Sequence, residues 1–451
     1  MSDTPYSAGE HGAPRAITVG RVVRIALPVV LSNATVPLQG AIDTAIIGNL
    51  GAAAPLAAVA LGAAVISLFF MPFNFLQMGA SGLTAQAEGS GDRRRVMNTL
   101  LRTLIVALAI AAALVAFRAW LVPLSLRIFE ASAEVEAIAA GYLAIRLLGA
   151  PAELANFALL GWFTGQEMTR RLFEMQVLVS VVNVSLNLLF VLGLGWGVEG
   201  VALGTAIAVY AGLGYGLWRA RQRQRAVAPG WRVEWPRVLD RAELVQVMAL
   251  NRDIMVRTLL LMGAYTWMTR LASVQGDRIL AVNGVLIQFF HISSYGLDGF
   301  AMAAETLVGQ ALGGRSRDRL RRAVLVSGLA ALVLAAALAL VFTAAGPALI
   351  RLFTNVEAVR ADAYAFMLWA TLLPLAGVLA FQADGVFIGA AEGPAMRNTM
   401  IVSAAVYFPL AWVLTEAYGN HGLWAALHVF LLVRFATLAA CYPRLEARAT
   451  T

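Results

Sequence analysis

A single acid set in the first apolar stretch, Asp43 within residues 25–50, is the first group in this chain with chemistry to offer. An Asp inside a membrane-length helix costs roughly 2.5 to 3.5 kcal/mol to insert, so it needs a purpose or a partner. No Arg lies beside it on its own stretch, and an unpaired carboxyl out of water takes up a proton readily, as a proton carrier must. The plainer alternative is an Asp at a hydrated helix end, since Asp43 sits about seven residues from the limit of the run. Gln39 lies one helical turn earlier on the same face, where it either touches a transported molecule or bonds a neighbouring helix. Asn183 and Asn187 are four residues apart, hence on one face, and both must find partners away from water, by interhelical bonding or as part of a coupling site. Glu153, two residues after Pro151, offers a second carboxylate. Pro28 and Pro37 remove backbone donors from the first stretch and leave it able to bend near Asp43.

A second set is charged on both sides. At about 1.5 Å per helical residue, Arg257 lies ~15 Å from the near end of its stretch, Asp298 ~21 Å, and Glu305 and Asp384 both ~10 Å. Their depths overlap, so they form one charge network in a cavity. Such a network couples ions, binds substrate, holds a closed state or is a static ion cluster.

The elements that must hold these groups follow from composition. Of 451 residues 60% are apolar and 13% charged, against about 25% charged in a soluble domain. The charges collect in short stretches between apolar runs, so the chain is solvated by lipid. Runs long enough to cross a bilayer lie near 25–50, 55–88, 98–122, 136–163, 172–194 and 197–218, then near 248–273, 279–312, 320–346, 360–391, 396–417 and 420–442. They lack the alternation of barrel strands, which leaves an all-α polytopic membrane protein of twelve transmembrane helices. The net charge of +8 comes from Arg alone, clustered beside apolar runs, which marks topology rather than nucleic-acid binding. Cys441 stands alone, and His11, His291, His421 and His428 have no metal-ligand spacing, so no metal or cofactor is expected. No Ser, His or Cys constellation points to an enzyme.

Arg93, Arg94 and Arg95, Arg170 and Arg171, and Arg315 to Arg322 follow the second, fourth and eighth runs, and seven arginines lie between 219 and 241. Loops of this kind face the cytoplasm, which places both termini on the cytoplasmic side of a bacterial inner membrane. Gln86-Ala-Glu-Gly89 recurs as Gln310-Ala-Leu-Gly313 at an offset of 224, and Gly161 and Gly165 recur as Gly385 and Gly389 at the same offset. Gly200-Val-Ala-Leu resembles Gly422-Leu-Trp-Ala at 222. The chain therefore divides into two pseudo-twofold-related six-helix lobes. Residues 1–20 form a disordered cytoplasmic tail, 21–220 the N-terminal lobe, 221–245 a cytoplasmic linker, 246–442 the C-terminal lobe and 443–451 a second tail. Chemically the lobes diverge: at offset 224 Asn33 becomes Arg257, Asn74 becomes Asp298, Ser81 becomes Glu305 and Asp43 becomes Trp267.

Ala26-Leu-Pro28, Asn33-Ala-Thr-Val-Pro37 and Asp43-Thr-Ala-Ile-Ile-Gly48 resemble the first helix of the DinF branch of the multidrug and toxic compound extrusion (MATE) family. Gly82-Leu-Thr-Ala-Gln86, Leu159-Leu-Gly-Trp162, Ala249-Leu-Asn-Arg-Asp-Ile254, Leu297-Asp-Gly-Phe-Ala301, Asp384-Gly-Val-Phe-Ile-Gly389 and Met396-Arg-Asn398 continue the resemblance along the chain. It implies a secondary active antiporter that exports small organic molecules, cationic or amphiphilic, in exchange for protons or sodium by alternating access. It makes Asp43 the coupling carboxylate and places Asn183, Asn187 and Thr205 in its network. Some relatives carry Asp where this chain has Asn187, so one titrating group is missing here. No bound cofactor beyond the transported ion is implied, and a monomer is expected.

A lipid-linked precursor flippase shares the repeat and is the competing reading. It needs a strongly cationic cavity, and within the apolar runs only Arg146, Arg257 and Arg270 were expected to lie. The orientation is open to direct test. A cysteine placed at Gln222 is expected to resist a membrane-impermeant thiol reagent added to intact cells, and labelling from outside would invert the topology.

Overall fold

In lipid a backbone must close its own hydrogen bonds, so an apolar chain of this kind has helix as its one open-ended solution. The computed structural model describes residues 16–48, 53–127, 129 and 131–450, and among them every regular element is helical. The α-helices are α1 (Val19–Gly48), α2 (Ala53–Phe70), α3 (Phe75–Gly89), α4 (Arg93–Ala116), α5 (Arg118–Leu126), α6 (Ala133–Leu148), α7 (Ala150–Gly165), α8 (Thr169–Asn187) and α9 (Gly197–Val227). After them come α10 (Trp235–Val238), α11 (Arg241–Val274), α12 (Asp277–Gly313), α13 (Arg317–Phe353), α14 (Glu357–Gly389) and α15 (Gly393–Arg448). A 3-10 turn, Met71–Asn74, joins α2 to α3 in one rod, and a π-helical turn, Leu188–Gly193, prolongs α8.

Among the described residues nine stretches are long and apolar enough to cross a membrane, and α6 with α7, bent by 50°, makes a tenth. The 34-residue α11 is less apolar because Arg257 and Arg270 interrupt it. The 56-residue α15 holds two rods, since Gly419 leaves helical geometry at φ 57° and ψ −137°. With these two the rods number twelve, in the order the apolar runs predict.

The ends of the lobes differ from the sequence expectation in three places. Residues 1–15 of the expected N-terminal tail lie outside the described residues, but Val19 and Gly20 already belong to α1. The expected C-terminal tail is helical as far as Arg448, because Glu446 is held by Arg317 at 3.2 Å and by Arg321. The expected linker is mostly ordered helix: α9 runs to Val227 and α11 starts at Arg241. Arg102 of α4 explains part of that order, donating to the carbonyls of Arg237 (2.7 Å) and Val238 (3.1 Å) and to Glu243 (2.9 Å).

The repeat is written into the turns. Gly91, Glu167, Arg315 and Ala391 have φ of 74°, 61°, 50° and 53°, and they form two pairs at offset 224. At the ends of α7 and α14 the amides of Met168 and Glu392 reach back to the carbonyls of Phe163 (2.9 Å) and Phe387 (3.1 Å). That six-to-one bond is a helix stop in which one residue turns left-handed. Three of the four left-handed residues here carry side chains, so the turn is set by helix packing rather than by glycine.

Glycines set the spacing of the helices. A Cβ on Gly161 would meet the Gln77 carbonyl at 2.1 Å and one on Gly385 the Ala301 carbonyl at 2.3 Å; Gly165 faces Ser81 O at 2.6 Å and Gly389 faces Glu305 O at 2.1 Å. Each pair of contacts is again related by 224. Small residues let backbones approach in a medium where packing, not water, drives association. Gly389→Ala is therefore expected to lose about 1 to 3 kcal/mol by overpacking, read as a lower melting temperature in detergent. Gly214→Ala, with open space around its Cβ, should hold or gain stability, since Ala is the better helix former by up to about 1 kcal/mol.

Candidate functional site

In the N-terminal lobe α1 packs against α8, and this contact assembles the first polar site. Asn187 Nδ2 donates to Asp43 Oδ1 at 2.7 Å and lies 3.3 Å from Asn183 Oδ1. Asn183 Nδ2 donates to Thr205 Oγ1 at 2.8 Å, and the Thr205 hydroxyl donates to the Val201 carbonyl. Asp43, Asn187, Asn183 and Thr205 thus form one chain across three helices, ending on a half-buried carboxylate. The Gly204 Cα lies against Asn187, where an added Cβ would fall 2.2 Å from its Oδ1, so the amide is wedged in position.

Gln39 and Glu153 take specific places in this lobe. Gln39, for which contact with a transported molecule and bonding to a neighbouring helix were both open, accepts from Ser180 Oγ at 3.4 Å and so ties α1 to α8. Glu153 lies in the first turn of α7 with Oε2 buried and unpartnered, away from the large cavity described below. Asp43 also has company that its own helix does not reveal. The guanidinium of Arg146, at the end of α6, exerts its charge on both Asp43 and Glu153.

Pro28 and Pro37 both sit inside α1, which continues through them. Near the second, Thr35 Oγ1 donates to the Ser32 carbonyl at 2.7 Å, and Asn33 Nδ2 reaches the Tyr295 carbonyl of α12 at 3.4 Å. The proline-loosened stretch thereby contacts the other lobe.

A cavity of about 770 Å³ lies mainly in the C-terminal lobe between α11, α12, α14 and α15, with α1 and α3 contributing Asn33, Gln77 and Met78. Arg257, Asp298, Glu305 and Asp384 all line it, as their depths predict. Overlapping depths leave the pairing within the set open, and the fold decides it. Arg257 binds Asp384, not Asp298, and the same Asp384 oxygen accepts from Arg434 at 2.5 Å. Glu305 Oε1 is buried without a hydrogen-bond partner, and among the described residues Asp298 has no ion-pair partner within 4 Å, the nearby arginines Arg257 and Arg434 being bound to Asp384. Arg434, in the last rod, is the functional residue that sequence reasoning missed. It lies within the apolar run 420–442, which corrects the expectation that Arg146, Arg257 and Arg270 alone fall inside the runs, and only the fold shows which helix it faces.

One end of the molecule is closed where the lobes meet. Gln86 Nε2 donates to the Gly389 carbonyl at 3.1 Å and Gln310 Nε2 to the Gly165 carbonyl at 3.4 Å. These two bonds cross the lobe boundary in opposite senses and are related by the repeat. Gly89 and Gly313 back onto the partner carbonyls of Gln310 and Gln86. Arg21 of α1 adds a clamp, donating to Glu167 at 2.5 Å and to Gln310 Oε1 at 3.0 Å. The cavity reaches the other way, to Ala272 and Leu280 beside the α11–α12 turn.

Twelve apolar rods in two repeated lobes, a closed seam at one end and polar sites buried inside each lobe define a multi-pass membrane transporter. The MatE family model matches residues 28–189 and 254–413, once in each lobe, and the chain belongs to that family. DNA damage-inducible protein F of Escherichia coli (strain K12) is 39% identical over 426 residues, covering 93% of this chain and 91% of that protein. A probable multidrug resistance protein NorM of Bradyrhizobium diazoefficiens is 30% identical, with 96% and 97% covered. A solved structure described as the outward-facing conformation of a multidrug resistance MATE family transporter matches with a TM-score of 0.84 at 20% identity, covering 96% of this chain and 97% of that one. That last likeness is one of fold.

The shared carboxylate makes a sharp prediction. Asp384→Asn strands two buried guanidinium groups and is expected to cost about 3 to 5 kcal/mol. Arg257→Met leaves Asp384 with Arg434 and should cost less. Melting temperatures of the two variants in detergent compare them, and equal losses would mean that the two arginines do not share the carboxylate.

Proposed function

We propose that the chain is a secondary active antiporter that exports small organic compounds, cationic or amphiphilic, in exchange for protons by alternating access. Its place is a bacterial inner membrane, where it works as a monomer with both termini in the cytoplasm. The observation that carries this reading is the Asp43 carboxylate, closing an otherwise neutral chain of amides and a hydroxyl. One protonation there changes the charge of the whole network. The network also touches α1, the helix with two internal prolines and a contact to the other lobe.

The seam and the cavity supply the alternating-access part. The seam lies on the side of the Arg-rich turns, and the cavity extends toward the opposite side, so this arrangement reads as outward-facing. Met71, Met78, Met262, Met268 and Met302 line the cavity, and flexible, polarizable methionine suits a site that accepts varied apolar shapes. A flippase is less well supported, since both cavity arginines, Arg257 and Arg434, are already engaged by Asp384.

A proton moving inward supplies about 1.4 kcal/mol per pH unit and about 2.3 kcal/mol per 100 mV. Each 1.4 kcal/mol sustains a tenfold gradient, so one coupling carboxylate suffices for about a hundredfold to a thousandfold gradient of a neutral compound. In proteoliposomes the wild-type protein is expected to move drug in response to a pH gradient and not to a sodium gradient. Asp43→Asn should still bind drug but fail to concentrate it. Undiminished uphill transport by Asp43→Asn would end this reading, and a response to sodium alone would replace the proton.

A further inference from the structure

Arg146 is an oddity that the coupling network alone does not explain. It sits in the last turn of α6 and is buried, at 8% exposure, with Nε and Nη1 lacking any hydrogen-bond partner. A buried guanidinium is costly to leave unsatisfied, so it normally engages a carboxylate fully. Here two carboxyls feel its charge, Asp43 on α1 and Glu153 on α7, and neither takes it whole. Glu153 mirrors this condition, with Oε2 buried and unpartnered. The first turn of α7 gives Glu153 the favourable end of a helix dipole, which accounts for an acid there but not for the half-satisfied arginine.

The two residues flank a joint. α6 and α7 are bent by 50°, and Gly149 lies between them. Tyr210 Oη of α9 donates to the Leu148 carbonyl at 2.9 Å, which satisfies a backbone group the bend would expose. Arg146 thus ends one half of a broken span and Glu153 begins the other, while Asp43, which also feels the Arg146 charge, lies on α1, the helix packed against α8 and α12.

We propose that Arg146 is a cation shared between two carboxyls, drawn to Asp43 while that side chain is ionised and to Glu153 once Asp43 has taken a proton. This rests on the antiport reading above and deepens it, making Arg146 and Glu153 positioning residues for the coupling step. A proton from the outer medium adds to an Asp43 oxygen; the guanidinium keeps its own proton throughout and changes only its partner. When the proton leaves on the other side, Asp43 recovers its charge and draws Arg146 back. The exchange shifts the ends of α6 and α7 relative to α1, so a charge change at one atom becomes movement at a joint.

Other charges that face α6 are few. Glu199 of α9 approaches Gly141, where an added Cβ would lie 3.3 Å from its Oε1, more than a turn from Arg146. α2 carries no charged side chain, α5 carries Arg118 and is followed by Arg127, and the arginines of α4 (Arg93, Arg94, Arg95 and Arg102) lie toward the seam end. Tyr142 is the nearest titratable group on α6 itself. Glu199 is the one carboxylate among these neighbours, and it lies beside Gly141 rather than at the joint.

The test is drug–proton exchange by the full chain in proteoliposomes, measured as rate against pH. Arg146→Met removes the cation that competes with the proton, and its half-maximal rate should move to higher pH by about one unit, a tenfold lower proton concentration. Glu153→Gln removes the alternative partner, leaves the arginine on Asp43 and should move the midpoint to lower pH by about as much. Arg146→Lys should retain the wild-type midpoint. Opposite shifts are the signature, because a merely structural role predicts loss of rate without displacement of the profile. Profiles that superimpose, or that move the same way, overturn the proposal. Should Arg146→Met fail to fold, an unshifted Glu153→Gln overturns it alone. A wild-type protein indifferent to the pH gradient removes the antiport reading and this proposal with it, whereas a responsive wild type with unshifted variants removes only this one.

Discussion

How near two helix backbones can come is the constraint on which this structure depends. Helices in lipid gain little from burying apolar groups against one another, so contact area and hydrogen bonds must hold them together. The glycines at 161, 165, 385 and 389 let α7 and α14 lie against the carbonyls of α3 and α12. That approach puts the carbonyls of Gly165 and Gly389 within reach of Gln310 and Gln86 from the opposite lobe. Without it the seam would have no partners for its amides, the cavity no closed end, and the two lobes no common boundary.

On this shared frame the lobes carry different chemistry. The N-terminal lobe holds amides, a hydroxyl and Asp43; the C-terminal lobe holds Arg257, Arg434 and Asp384 in one cluster, with Asp298 and Glu305 beside it. Where Asp43 stands, the second lobe has Trp267, whose indole N–H donates to the Phe408 carbonyl at 3.3 Å. Duplication fixed the positions of the backbone and left the side chains free to diverge. A change of charge in one lobe therefore has no counterpart in the other, and the pair responds asymmetrically although it is built symmetrically.

Much of this was legible in the residues. The offset of 224 paired Gln86 with Gln310 and Gly161 and Gly165 with Gly385 and Gly389, residues that the structure places at the seam and at the close helix contacts, because repeats preserve glycine and amide positions that backbone packing demands. The four-residue spacing of Asn183 and Asn187 put both amides on one helix face, which the structure turns toward Asp43 and Thr205. Pairing was harder to read. Depth estimates place Arg257, Asp298 and Asp384 at comparable levels but say nothing of azimuth, and azimuth decides that Asp384 rather than Asp298 receives the arginine. Arg434 and Arg146 went unassigned for the same reason: each is one charge on a helix whose neighbours are set by tertiary packing. The order of the linker was also hidden, since it comes from Arg102, a residue more than a hundred positions away.

That last contact has a mechanical meaning. Arg102 grips the carbonyls of Arg237 and Val238 and, with the same guanidinium, Glu243 at the start of α11. The segment between the lobes is thus riveted to the first lobe almost to the point where the second begins. Leu239 and Asp240 are held as well, the Leu239 amide by the Trp235 carbonyl at 2.8 Å and the first turn of α11 by the Asp240 side chain, so the join between the lobes is short and bonded along its length. A rotation about that join would displace the α11–α12 turn, at the far end of the 34-residue α11, more than any point near the Arg-rich end.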